Sequence, residues 1–144
     1  TPTEEHLENM MLVAEKVFEP LREYAGHPIG VNSFYRSPEL NKAIKGSSRS
    51  SHMIGAAIDL NSLGDKSNKE LFDFIMENLT FDQLIWEFGS DKNPKWIHIS
   101  YIWEFGSDYN PKWIHVSYIR EKDNRNEVLK AKRNSNHNTY YKIK

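Results

Sequence analysis

Residues 85–101 read IWEFGSDKNPKWIHISY and residues 102–118 read IWEFGSDYNPKWIHVSY, so one stretch of chain is written twice in succession. The copies differ only at Lys92 against Tyr109 and at Ile99 against Val116. Two copies do not make a solenoid, which needs three or more units to bury a continuous core. The repeat therefore reads as one hairpin duplicated inside an ordinary domain. Each copy holds a strand, a G-S-D-x-N-P turn and a second strand. In that second strand Ile97 and Ile99 face one way, and Trp96, His98 and Ser100 the other, as do Trp113, His115 and Ser117 in the second copy. This alternation describes a sheet with an apolar core behind it and a polar, aromatic cleft in front.

The chain has 144 residues, which suits a single domain spanning 1–144 with one core. Its net charge of −1 gives no reason to expect nucleic acid or an anionic membrane as partner. No apolar run approaches the ~18 residues of a membrane span. The N-terminal residues Thr1 to Glu5 lack the basic start and apolar stretch of a signal peptide, so the place of action stays open. With no cysteine, disulfides, thiolate metal ligands and thiol nucleophiles are excluded. Any metal site must be built from His, Asp and Glu.

The remaining pattern alternates helix and strand. Thr3 can cap a first helix in which Leu7, Met10, Met11, Ala14, Val17, Phe18 and Leu21 recur at helical spacing, ended by Gly26 and Pro28. A strand over Ile29 to Tyr35 follows, then a short helix started by Ser37 and Pro38. Gly46 to Ser51 reads as a mobile Gly/Ser loop. Gly55 to Asn61 reads as a strand with Ile58 and Leu60 on one face and Ala57, Asp59 and Asn61 on the other. Ser67 or Asn68 can cap a helix to about Leu79. After the repeats, Asn124 to Lys132 is expected as a short helix, Arg133 to Asn138 as a loop and Thr139 to Ile143 as a last strand. The fold class expected is α+β, a small antiparallel sheet with helices on one face and a metal cleft on the other.

Three elements carry chemistry. His52 lies on a loop entering the strand that holds Asp59, with the small residues Gly55, Ala56 and Ala57 between them. An acidic side chain on a central strand is costly to bury unless it is paired or metal-bound. His98, or its copy His115, adds a second imidazole, and two His with one Asp leave a fourth position for water on zinc. The third element is Glu87, or its copy Glu104. A turn at 91–94 would set Glu87 directly opposite His98, where a carboxylate can move a proton. In an extended strand His98 and Glu104 would stand ~20 Å apart at ~3.3 Å per residue. The workable pairs are therefore Glu87 with His98, or Glu104 with His115. The retained upstream context, Phe81 to Leu84, favours the first.

The pattern S-x-H-x-x-G-x-A-x-D over Ser50 to Asp59, followed by W-x-H-x-S, resembles the D-alanyl-D-alanine carboxypeptidase family of zinc peptidases. That family includes phage endolysins and shares its fold with the hedgehog signalling domain. Glu19 to Glu23, Ser33 to Pro38 and Phe81 to Ile85 also match its pattern, so the resemblance covers most of the chain. It implies zinc as cofactor, His52, Asp59 and His98 or His115 as ligands, and Ser50 and Arg36 in the substrate site. Arg36 would suit a substrate carboxylate, because its planar fork pairs two oxygens. Many members place a catalytic Glu shortly before the third ligand. Here Pro94 to Ile97 holds no acid, and the role falls to Glu87 or Glu104. The implied reaction is hydrolysis of peptidoglycan stem peptides, by a D,D-carboxypeptidase or an endolysin-type endopeptidase. The alternative is a zinc-containing binding module for cell wall or protein, without hydrolysis. The spare hairpin leaves both a monomer and a strand-swapped dimer open.

Overall fold

The computed structural model describes residues 1–101, 126–134 and 137–143. The second hairpin copy, with Glu104 and His115, lies outside the described residues.

The N-terminal helical segment is continuous but not uniform. Helix α1 (Glu4–Val13) starts on a capping box between Thr3 and His6. A π turn (Ala14–Phe18) joins it to α2 (Glu19–Ala25), which ends on the left-handed Gly26. The wide turn sits directly before Pro20, whose missing N–H and bulky ring would break a regular ladder. Val13, Val17, Leu21 and Ala25 form the buried stripe. Leu7 and Met11, expected on that stripe, are 49% and 70% exposed. The first turns of α1 run past the sheet and hold the loop around Gly55 instead. There Asn9 donates to the carbonyl of Ile54 at 2.8 Å.

Strand β1 (Ile29–Ser33) is followed by the short α3 (Pro38–Ala43), capped by Ser37. A 3₁₀ turn (Ser51–Ile54) leads into β2 (Ala57–Ser62). Helix α4 (Asn68–Asn78) has a capping box of Ser67 and Glu70. Then come β3 (Gln83–Glu87), β4 (Trp96–Ser100), β5 (Glu127–Asn134) and β6 (His137–Lys142). Among the described residues these strands form one sheet in the order β1-β2-β4-β3-β5-β6.

Three expectations need correction here, and the first is the loop over Arg133 to Asn138, where Arg133 and Asn134 belong to β5 and His137 and Asn138 to β6. The segment expected as a helix over Asn124 to Lys132 is β5 in its described part. Its Leu and Ala content suits a helix, but the vacant edge of β3 offers hydrogen bonds along its whole length, and tertiary pairing overrides local preference. The sheet is consequently mixed, because β5 runs parallel to β3. Strand β5 lies on the side of β3 opposite β4, with Ser100 and Glu127 both paired with Gln83. Asn126, at φ 50, turns the chain into β5 and binds Phe81 through both its N–H and its side-chain oxygen.

One face of the sheet carries the core. Ile58, Leu60, Leu84, Trp86, Ile97, Ile99 and Val128 pack against the buried stripe of α1–α2 and against Leu71, Phe72 and Ile75 of α4. Each fully buried side chain of this size contributes roughly 1.5–3 kcal/mol. The opposite face carries the chemistry, in two adjacent rows across the strands. Ser33, Asp59, His98, Ile85 and Leu129 form one row. Trp96, Glu87, Ala131 and Tyr140 form the next.

Candidate metal centre

His52 is held before any ligand is considered. Ser50 caps the 3₁₀ turn by accepting from the His52 backbone N–H at 3.2 Å. Gly55, at φ 75, closes the turn, and a Cβ there would meet the carbonyl oxygen of His6 at 2.5 Å. The N–H of Arg36 donates to the His52 carbonyl at 2.9 Å. The imidazole is 2% exposed, and its Nδ1 lies 2.7 Å from the carbonyl oxygen of Phe34. A carbonyl only accepts, so Nδ1 carries the hydrogen and Nε2 of the neutral ring is left with its lone pair.

That lone pair points at Asp59 and His98. His52 Nε2 is 3.0 Å from Asp59 Oδ1 and 3.2 Å from His98 Nδ1, and His98 Nδ1 is 2.9 Å from the same Oδ1. In the tautomer that leaves His98 Nδ1 without a hydrogen, three electron-rich atoms in a small triangle, those of His52 and Asp59 on buried residues, face one another and suit a cation between them. Ligands at the ~2.0–2.1 Å distances of zinc stand ~3.3 Å apart in a tetrahedron, close to the edges of this triangle. The donor set therefore fits a zinc ion. The three residues form the candidate metal-holding cluster among the described residues.

Asp59 is 9% exposed. Burial alone would raise its pKa, but imidazoles of His52 and His98 that carry the protons a metal would replace outweigh it and hold the carboxyl well below the usual range. Its second oxygen, Oδ2, lies 3.7 Å from a guanidinium nitrogen of Arg36. Arg36 also donates to Asn41 Oδ1 at 3.1 Å and to Ser33 Oγ at 3.2 Å. Of the two sites expected for substrate, Arg36 and Ser50 both line the cleft, while both also brace the centre.

Glu87 is on the cleft face as expected, but its register differs. Ile85 is the residue opposite His98, and Glu87 is opposite Trp96. The connection is longer than a four-residue turn: Phe88 and Gly89 take left-handed conformations, Ser90 pairs with Asn93, and Lys95 N–H donates to the Glu87 carbonyl. A shift of two residues preserves the face, so Glu87 stays one row from His98. The side chain is 7% exposed. Burial first, and the charge of Asp59 second, push its pKa up to about 8.

Several contributors to the site carry no sequence signal. The Phe34 carbonyl is a backbone group. Tyr140 arrives from β6 and lines the cleft because β5 is parallel and Ala131, between it and Glu87, is small. Its phenol pKa is raised by burial and then by the charges of Glu87 and Asp59, which places all three around one space. The cleft has a volume of about 540 Å³, with Ile85, Phe88, Trp96, Leu129 and Tyr140 on one wall. Lys45, Ser47, Arg49 and Ser50 belong to the other. No described helix is long and apolar enough to cross a membrane.

The family model described as Peptidase M15 matches residues 3–100, a span containing His52, Asp59, Glu87 and His98. No curated protein matches the chain.

Proposed function

The chain belongs to the peptidase M15 family, and from that membership we propose that it is a zinc-dependent hydrolase of peptide bonds in peptidoglycan stems. It would act as a D,D-carboxypeptidase or an endolysin-type endopeptidase, with the hedgehog-type arrangement of helices behind the sheet and a metal cleft in front. The observation that carries the reading is the convergence of His52 Nε2, His98 Nδ1 and Asp59 Oδ1, with His52 Nδ1 already committed to Phe34.

His52, Asp59 and His98 would hold the ion, and bound zinc supplies Lewis-acid polarisation of a carbonyl and a more acidic water. Glu87 takes the proton of the attacking water and returns it to the leaving amine. Its raised pKa supports this role, because a carboxyl poised near neutrality both accepts and releases a proton. A nearby divalent charge draws that value down and favours the base form at neutral pH. Arg36 braces Asp59 and offers its guanidinium to a substrate carboxylate next to the scissile bond. Ser50 lines the cleft beside it. The wall of Trp96 and Tyr140 covers the apolar part of the peptide and limits water.

The test is hydrolysis of purified peptidoglycan by zinc-loaded protein, with products read by mass. Release of peptide or D-alanine, lost in Glu87→Gln, supports the reading. Zinc-loaded, folded protein that cuts no stem peptide would leave a binding module in its place.

A further inference from the structure

We propose that Lys45 and Arg49 form an anion-binding rim on the metal cleft, selecting peptides that carry a second carboxylate away from the bond to be cut. The inference rests on the peptidase reading and names the substrate class for that same site.

Both cations line the cleft, and both are exposed. Among the described residues neither has an ion-pair partner, whereas Arg36 is paired with Asp59. The carboxylates lining the cleft are Asp59 and Glu87, and both belong to the metal end. Among the described residues the rim therefore carries positive charge with no counter-charge of its own.

A solvated Lys and Arg on a floppy loop would mean little, and the sequence around Gly46 reads as such a loop. The structure pins it instead. Asn41, 2% exposed, accepts from Arg36 and donates to the carbonyl of Ser47 at 2.8 Å. The N–H of Gly46 donates to the Asn41 carbonyl at 2.8 Å, and a Cβ at Gly46 would collide with Oδ1 of Asn41. Lys45 sits at φ 60, a left-handed conformation that turns the chain off α3 toward the cleft. Arg49 N–H donates to Ser47 Oγ at 3.2 Å, and Ser50 N–H to the Ser47 carbonyl at 3.0 Å. One buried amide thus ties the loop bearing both cations to the guanidinium that braces Asp59. With the backbone of the loop fixed in advance, binding has only the two side chains left to order. The wall across the cleft presents no cation among the described residues, which sets the orientation of an acidic peptide.

The test uses two peptides ending in D-alanyl-D-alanine and carrying a γ-linked D-glutamate. Its α-carboxylate is free in one and a carboxamide in the other. Binding to the full chain bearing Glu87→Gln is measured by calorimetry at low and high salt. Hydrolysis by zinc-loaded wild type is measured separately. Exposed charge contacts are individually weak and screened by salt, so the expected preference for the free carboxylate is about tenfold at low salt. It should fall to within about twofold when Lys45→Gln and Arg49→Gln are added. Lys42→Gln, on α3 but not lining the cleft, should leave it intact, which separates the rim from a general charge effect. Equal affinity for the two peptides, no binding of either, or a preference that survives the double substitution overturns the rim. Cutting of both peptides without preference removes the rim and leaves the peptidase reading. A rim-dependent preference without any cutting does the reverse.

Discussion

His52 donates its Nδ1 hydrogen to the carbonyl oxygen of Phe34 across 2.7 Å, and this one bond decides what the other side of the ring can do. It leaves Nε2 as a lone pair aimed at Asp59 and His98. With His98 in the tautomer that bares Nδ1, three acceptors stand face to face, the arrangement a cation would satisfy. The orientation of a metal-ligand imidazole is commonly fixed by such a partner on its far nitrogen.

The first prediction concerns which hairpin copy supplies the third ligand. His98 pairs with Asp59 in the sheet, so His98→Ala should abolish zinc binding while His115→Ala keeps about one zinc per chain. Elemental analysis of folded, desalted protein decides it. Zinc lost in His115→Ala but kept in His98→Ala would assign the site to the second copy.

Glu87→Gln should leave zinc content unchanged and lower turnover by about 10²- to 10⁴-fold, the usual contribution of a positioned acid–base group. Steady-state kinetics on a stem peptide, alongside a zinc assay, measure both. Full activity in Glu87→Ala and also in Glu104→Ala would refute the proton-transfer role.

Zinc-free protein should show a pH-dependent stability traceable to Glu87. Burial and the charge of Asp59 push its pKa up to about 8 in the folded chain, against ~4.3 when unfolded. Between those values the folded state holds a proton that the unfolded state has released. The contribution is therefore fully present below about pH 4, declines by at most ~1.4 kcal/mol per unit, and is lost above pH 8. Urea midpoints of chelated wild type and Glu87→Gln should diverge from pH 5 to 8, the variant being increasingly the more stable. A constant difference over that range would contradict it.

Asn41→Ala should destabilise the chain by about 1–3 kcal/mol, because the Ser47 carbonyl and the Arg36 guanidinium both lose a partner. Zinc binding should survive, since no candidate ligand is removed. Thermal unfolding with a zinc assay tests the pair of outcomes. Unchanged stability would mean that the loop is not pinned through this amide.

His52, Asp59 and the core face of β2 were readable because strand alternation places Ile58 and Leu60 opposite Asp59 whatever the partner strands are. The W-x-H-x-S pattern was readable for the same reason. The register of the first hairpin was not. Phe88 takes positive φ without being glycine, and a connection that depends on such a conformation leaves little trace in residue types. Strand β5 was misread because Val128, Leu129 and Ala131 satisfy either period, and only the vacant edge of β3 decides between them. The loop around Gly46 reads as flexible from its glycine and serines, yet Asn41, five positions before Gly46, is what fixes it.

The parallel pairing of β5 with β3 also sets an order of assembly. His52, Asp59 and His98 all precede Tyr140 in the chain, and the strands that carry Asp59 and His98 pair with each other directly. A chain can thus bring its candidate ligands together while Leu129 and Tyr140 are still missing from the cleft wall. The metal end can be settled first, and the cleft gains its last side only when the C-terminal hairpin docks.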